Sequence, residues 1–150
     1  MSIVNEMRLD FLSCPANEGF ARMVISAFVL PLNPTLEQLG DIKTAVSEAV
    51  TNAVVHGYEE KGGTIRMKAA INDLGELTVE VIDNGRGIRD IRQARQPFFT
   101  TLTESERSGM GFTVMESFMD SVQVVSEVGR GTTVRMTKKI LAPQELAREA

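Results

Sequence analysis

Met7, Leu9 and Phe11 alternate with Arg8, Asp10 and Leu12, the period of a strand with one buried face. From Ala16 to Leu30 the period becomes helical, with Phe20, Met23, Val24, Ala27 and Phe28 predicted on one side, until Pro31 and Pro34 interrupt it. Thr35 is placed to cap a second helix. The apolar stripe of that helix runs through Leu36, Leu39, Ile42, Val46, Ala49 and Ala53, and Gly57 is expected to end it as a C-terminal glycine. After Gly62-Gly63 come two strand patterns, Thr64 to Ile71 and Leu77 to Ile82, joined by Asn72-Asp73-Leu74-Gly75. Asp83 to Gly111 follows neither period, and so long a stretch in a small domain is more often functional than accidental. Phe112 to Phe118 reads as a short helix. Val122 to Val125 and Thr132 to Met136 read as a hairpin around Val128-Gly129-Arg130-Gly131, and Pro143 to Ala150 as a charged helix or frayed end. Tight turns between the later strands favour antiparallel pairing. The expected fold is α/β (α+β): a two-layer sandwich of a mixed, mostly antiparallel sheet with helices on one face, one domain over 1–150.

Composition narrows the classes of function. The 150 residues are 43% hydrophobic and 24% charged, which suits a globular domain with a sizeable core. A net charge of −4 argues against a broad nucleic-acid footprint. No apolar run approaches the roughly 20 residues that span a bilayer, and the first residues lack a basic region followed by an apolar core. No membrane association is therefore expected, and a cytoplasmic location is. Cys14 is the single cysteine, so no internal disulfide is possible, and it is expected to pack as a small hydrophobe.

Four short motifs carry candidate chemistry. Glu48 and Asn52 are four apart, hence on one side of consecutive helical turns beside Ala49 and Ala53. A carboxylate and an amide at the edge of a buried stripe need partners; Asn oxygen suits Mg²⁺, and Glu can take a proton from a nucleophile. Asp83-Asn84-Gly85-Arg86-Gly87 follows a strand, where Asp83 can accept from an exocyclic amine while Gly85 and Gly87 permit close backbone approach. Ser108-Gly109-Met110-Gly111 opens a helix, a ready phosphate site, with Arg107 just before it. Thr132 lies in a strand, and its hydroxyl can reach a base edge. Each motif has a plainer reading: a solvated helical pair, a tight turn, a loop charge, a β-branched strand residue. His56, the single histidine, reads as a helix-end residue. No Walker motif, Ser-His-Asp order, His-Glu-x-x-His or kinase catalytic loop occurs.

Taken in order, these elements resemble the Bergerat-type ATP-binding fold shared by gyrase, heat-shock-90, histidine-kinase and mismatch-repair ATPases. More closely, the chain resembles the anti-sigma F family of spore-forming bacteria, from about Asn5 to Lys139. The likeness is most specific at Ile42 to Ala53, at Gln96-Pro97-Phe98-Phe99-Thr100-Thr101 and at Glu106 to Phe112. The resemblance implies ATP and Mg²⁺ as cofactors, with Glu48 as general base, Asn52 as Mg²⁺ ligand and Asp83 holding the adenine amine, helped by Gly85, Gly87 and Thr132. It further implies an ATP lid over about 91–111, in which Thr100, Ser108, Gly109 and Gly111 contact nucleotide and Arg107 faces the γ-phosphate. It implies a homodimer that holds sporulation sigma factor F inactive and phosphorylates a serine of an anti-anti-sigma protein, with Arg22 touching both partners. Gly19 and Met23 depart from the family pattern beside Arg22. An anti-sigma kinase of a stress-response sigma factor, a plain ATPase, a histidine-kinase catalytic fragment (which would need a phosphorylatable His on a separate helical hairpin) and a nucleotide-binding interaction module remain alternatives.

Overall fold

The computed structural model describes residues 2–57, 62–88, 91–95 and 111–140. In chain order the elements are β1 (Ile3–Leu12), α1 (Ala16–Val29), α2 (Leu36–Asn52), β2 (Thr64–Asn72), β3 (Glu76–Asp83), α3 (Ile91–Ala94), α4 (Gly111–Phe118), β4 (Ser121–Glu127) and β5 (Gly131–Lys139). The strands form one sheet in the order β1-β2-β3-β5-β4. Every ladder among the described residues is antiparallel, so the two-layer architecture is as expected and the parallel share of a mixed sheet is not found there.

Side-chain alternation decides which face of the sheet is covered. Ile65, Met67, Ala69 and Ile71 of β2, Leu77, Val79 and Val81 of β3, and Val134 and Met136 of β5 are all buried. The opposite row carries Arg66, Lys68 and Arg135 into solvent. Helix α2 packs between α1 and α4. It contributes Ile42, Ala45, Val46, Ala49 and Val50 to the core, which also takes Ala21, Ile25 and Val29 of α1 and Phe112 and Met115 of α4.

Two expectations about the helices need correction. The buried side of α1 is Ala21, Ile25 and Val29, spaced by four, with Val24 and Phe28 partly covered; Phe20 and Met23 are 49% and 67% exposed. Large apolar residues misplace the stripe because here they lie on the face that carries Arg22, away from the core. Leu36, at the first turn of α2, is likewise exposed.

Thr35 caps α2 as expected. Its hydroxyl accepts the Gln38 N–H at 3.0 Å and its own N–H donates to Gln38 Oε1 at 2.9 Å, a complete capping box. Thr35→Ala is expected to cost about 1 kcal/mol. In thermal unfolding this is a fall in Tm of roughly 2–4 °C; an unchanged Tm would mean the cap contributes nothing.

Candidate functional site

The inward-facing row of β3 runs Leu77, Val79, Val81 and then Asp83, while that of β5 runs Met136, Val134 and then Thr132. Asp83 and Thr132 are paired across the ladder, so two polar residues occupy neighbouring positions where the alternation asks for apolar ones. Both are buried, at 6% and 8% exposure. The Asp83 carboxylate accepts the Gly85 N–H at 2.9 Å and also the Thr132 N–H. Burial pushes its pKa above the ordinary aspartate value, and these two N–H groups only partly oppose that shift.

Glycines close the backbone around this carboxylate. A Cβ on Gly57 would stand 2.8 Å from Asp83 Cγ, and one on Gly85 would stand 2.0 Å from the Gly57 carbonyl oxygen. Gly131, at φ 117°, would place its Cβ 2.0 Å from the Asp83 carbonyl oxygen. A side chain at Gly85 or Gly131 would have to move backbone, and one at Gly57 would have to displace the Asp83 carboxylate. Arg86 joins the pieces: its N–H donates to the Gly57 carbonyl at 2.9 Å, its Nε to the His56 carbonyl at 2.8 Å, and its own carbonyl accepts the Gly129 N–H at 2.8 Å.

The helix carrying Glu48 and Asn52 therefore runs directly to Asp83. Helix α2 passes at Asn52 into a π-type turn, Ala53–Gly57, a feature that often marks functional sites. Gly57 is not among the positive-φ glycines, so close approach to Asp83, rather than a left-handed cap, is what demands glycine there. His56 lies in this turn, where its carbonyl holds Arg86. Glu48 and Asn52 are half-buried on consecutive turns, with Glu48 roughly 13 Å along the axis from Gly57. Glu48 also borders an open surface groove of about 440 Å³ lined by Arg22, Met23, Gly40, Lys43, Thr44 and Ser47. Arg22 stands 3.4 Å from Glu18 one turn earlier on α1.

The structure thus assembles Asp83, Gly85, Gly87 and Thr132 beyond the C-terminal end of α2, with Asn52 as the last residue of that helix and Glu48 one turn earlier. Gly111 is the first residue of α4 and is buried. Thr100, Arg107, Ser108 and Gly109 lie outside the described residues. Only the root of the expected lid is described: α3, followed by Arg95, whose Nε donates to Glu116 at 2.7 Å and which also reaches the Val122 carbonyl at 3.1 Å. Sequence reasoning missed Gly57, Gly131, Arg86 and Ser126. A polar residue in an otherwise alternating apolar strand was the available signal for Ser126, which follows Val122, Val124 and Val125.

Residues 13–138 match the family model of the histidine kinase-like ATPase domain. The chain is 58% identical over 140 residues to the anti-sigma F factor of a Thermoanaerobacter species, covering 93% of this chain and 97% of that one. It is 55% identical over 135 residues to the anti-sigma F factor of Clostridium acetobutylicum, covering 90% and 94%. The chain belongs to the anti-sigma F factor family. The solved RsbU and RsbW domains of a Mycobacterium tuberculosis protein share the fold at 18% identity, with a TM-score of 0.65 over 91% of this chain and 33% of theirs. Full-length ShkA in complex with AMPPNP does so at 20% identity, with a TM-score of 0.55 over 69% and 22%.

For this member of the anti-sigma F family, the donor set decides what kind of metal site fits. Among the described residues no three His, Cys, Asp or Glu side chains cluster to cage an ion. A lone hard oxygen from Asn52 suits Mg²⁺ that keeps its waters and takes further ligands from phosphates. No helix among the described residues is long and apolar enough to cross a membrane.

Asp83 also gives the family fold a pH signature. Its folded pKa is raised, so its contribution to stability is fully present below the ordinary aspartate pKa and is lost as pH rises through the raised value. Asn at this position does not titrate. In urea unfolding of nucleotide-free protein, the stability difference between wild type and Asp83→Asn is expected to move toward the wild type as pH falls from about 7 to about 4. A flat difference, or one moving toward the variant, would contradict the assigned burial.

Proposed function

We propose that this chain is an anti-sigma factor that binds sporulation sigma factor F, and a protein-serine kinase that phosphorylates an anti-anti-sigma partner using Mg-ATP. The observation that carries the proposal is the position of Glu48. It stands at the edge of an open groove that Arg22 also lines, one turn before Asn52, where its helix passes into the π-type turn that meets the buried Asp83 carboxylate. Nucleotide held from Asp83 would run along α2 toward Glu48, and a protein docked at Arg22 would meet it there. The exposed Phe20 and Met23 beside Arg22 give that surface the apolar character of an interaction site.

In this reading Asp83 accepts a hydrogen bond from the exocyclic amine of adenine, Gly85 and Gly87 let the backbone approach the ring, and Thr132 meets the base edge. Asn52 supplies the protein's oxygen to Mg²⁺, and Glu48 takes the proton of the incoming serine hydroxyl. Mg-ATP supplies the transferable phosphoryl group and the cation that offsets its charge. Thr100, Ser108, Gly109 and Gly111 are assigned to nucleotide from the lid side, and Arg107 to the γ-phosphate. AMPPNP bound to ShkA, a protein of this fold, supports the choice of an adenine nucleotide. A homodimer belongs to the same proposal, with the exposed Ile3, Val4 and Leu12 of β1 as contacts it would use.

The test is incubation with labelled ATP, magnesium and a candidate anti-anti-sigma protein, followed by mapping of the label. Label on a partner serine is the expected result. Phosphate release with no labelled protein would instead mean that water is the acceptor and the chain is an ATPase.

A further inference from the structure

We infer that Ser126 is a positioning residue that fixes the hydrogen-bonding polarity of Thr132 and thereby the preference for adenine over 6-oxopurines. The inference rests on the proposal that Asp83 and Thr132 receive the base.

Ser126 is half-buried on β4, directly across the ladder from Thr132. Its Oγ accepts the Ile88 N–H at 2.6 Å and lies 2.8 Å from Thr132 Oγ1 and 3.1 Å from the Gly131 carbonyl oxygen. A serine hydroxyl has one proton to give, so it can satisfy one of those two oxygens. The two choices have opposite consequences. If Ser126 donates to Gly131, the Thr132 hydroxyl turns its proton toward Ser126 and offers only lone pairs elsewhere. If Ser126 donates to Thr132, the shorter contact, the Thr132 proton must point away from Ser126 and is available to a ligand.

The second arrangement makes a matched pair with Asp83. Residues opposite one another on an antiparallel ladder have Cβ atoms about 4.5–5.5 Å apart, so Asp83 and Thr132 present an acceptor and a donor side by side. Adenine offers the complement, a 6-amino donor beside the N1 acceptor. Hypoxanthine and guanine offer a 6-oxo acceptor beside an N1–H donor, and both contacts become mismatches. Unpaired polar groups in a buried site are what make such discrimination strong.

The experiment measures Kd of the full chain for ATP, 1-deaza-ATP (the same base without its N1 acceptor) and ITP, in wild type, Ser126→Ala, Ser126→Thr and Asp83→Asn. Replacing N1 by carbon is expected to weaken binding to wild type about tenfold, one hydrogen bond's worth, and to weaken binding to Ser126→Ala by much less. The ATP-to-ITP preference should fall by a similar factor in Ser126→Ala and be retained in Ser126→Thr, which keeps the hydroxyl. Each ratio compares two ligands on one protein, so a partly unfolded variant does not distort it. Equal losses for ATP and 1-deaza-ATP in Ser126→Ala would mean that Ser126 only braces the loop, and would overturn the inference. If Asp83→Asn weakens ATP while the Ser126→Ala ratios match wild type, the inference fails and the adenine site stands. If Asp83→Asn binds ATP as wild type does, both fall.

Discussion

Glu48→Gln is expected to slow phosphoryl transfer to the protein substrate by about 100- to 10,000-fold, the usual contribution of a positioned general base, while ATP affinity stays within about twofold of wild type. The substitution keeps the volume and the helical position and removes the negative charge, and with it the capacity to take a proton. Glu48 is half-buried one turn before the end of α2, between the open groove shared with Arg22 and Asn52. The Asp83 cluster is held by Gly57, Gly85 and the Thr132 ladder. Binding and chemistry should therefore separate. A single-turnover measurement of labelled partner alongside an ATP titration gives both quantities. Transfer at the wild-type rate would remove Glu48 as the base; loss of both together would show that it holds nucleotide.

The sheet and the second helix were legible because their signals are local. Period-two burial in β2, β3 and β5 follows from the pleat, and the helix start from Thr35, whose pairing with Gln38 the structure adds. Asp83 was legible too, as an acidic residue closing an apolar strand before two glycines. What escaped depends on contacts between distant segments. Gly57 looks like a helix stop until the fold sets it against Asp83, and Gly131 looks like a hairpin glycine until β5 is laid beside β3. Ser126 becomes informative only when β4 brings it to Thr132. The buried side of α1 failed for another reason. Hydrophobic periodicity assumes that large apolar residues go inward, and Phe20 and Met23 stand out of the core beside Arg22. On this helix two apolar faces compete for one period.

Gly131→Ala is expected to destabilise the fold by about 4 kcal/mol or more, which is exceptional for one methyl group. Two costs coincide there. The residue sits at φ 117°, a conformation L side chains rarely adopt, and its Cβ would stand 2.0 Å from the Asp83 carbonyl oxygen and 2.7 Å from Asn84 Cα. Neither neighbour is the end of a flexible side chain, so relief requires β3 and β5 to separate at the rung that pairs Asp83 with Thr132. Against a typical total of about 5–15 kcal/mol, such a loss leaves much of the protein marginal. The molecules that remain folded would carry a displaced Asp83 and bind ATP poorly. Gly129→Ala separates strain from contact. Gly129 has φ 83°, but a Cβ there meets nothing within 4 Å. Only the left-handed penalty of roughly 1–2 kcal/mol applies, and ATP affinity should be unchanged. Urea unfolding and ATP titration of the two variants side by side test the claim. Equal stability losses, or intact ATP binding in Gly131→Ala, would mean that the close approach of β5 to Asp83 does not hold the carboxylate in place.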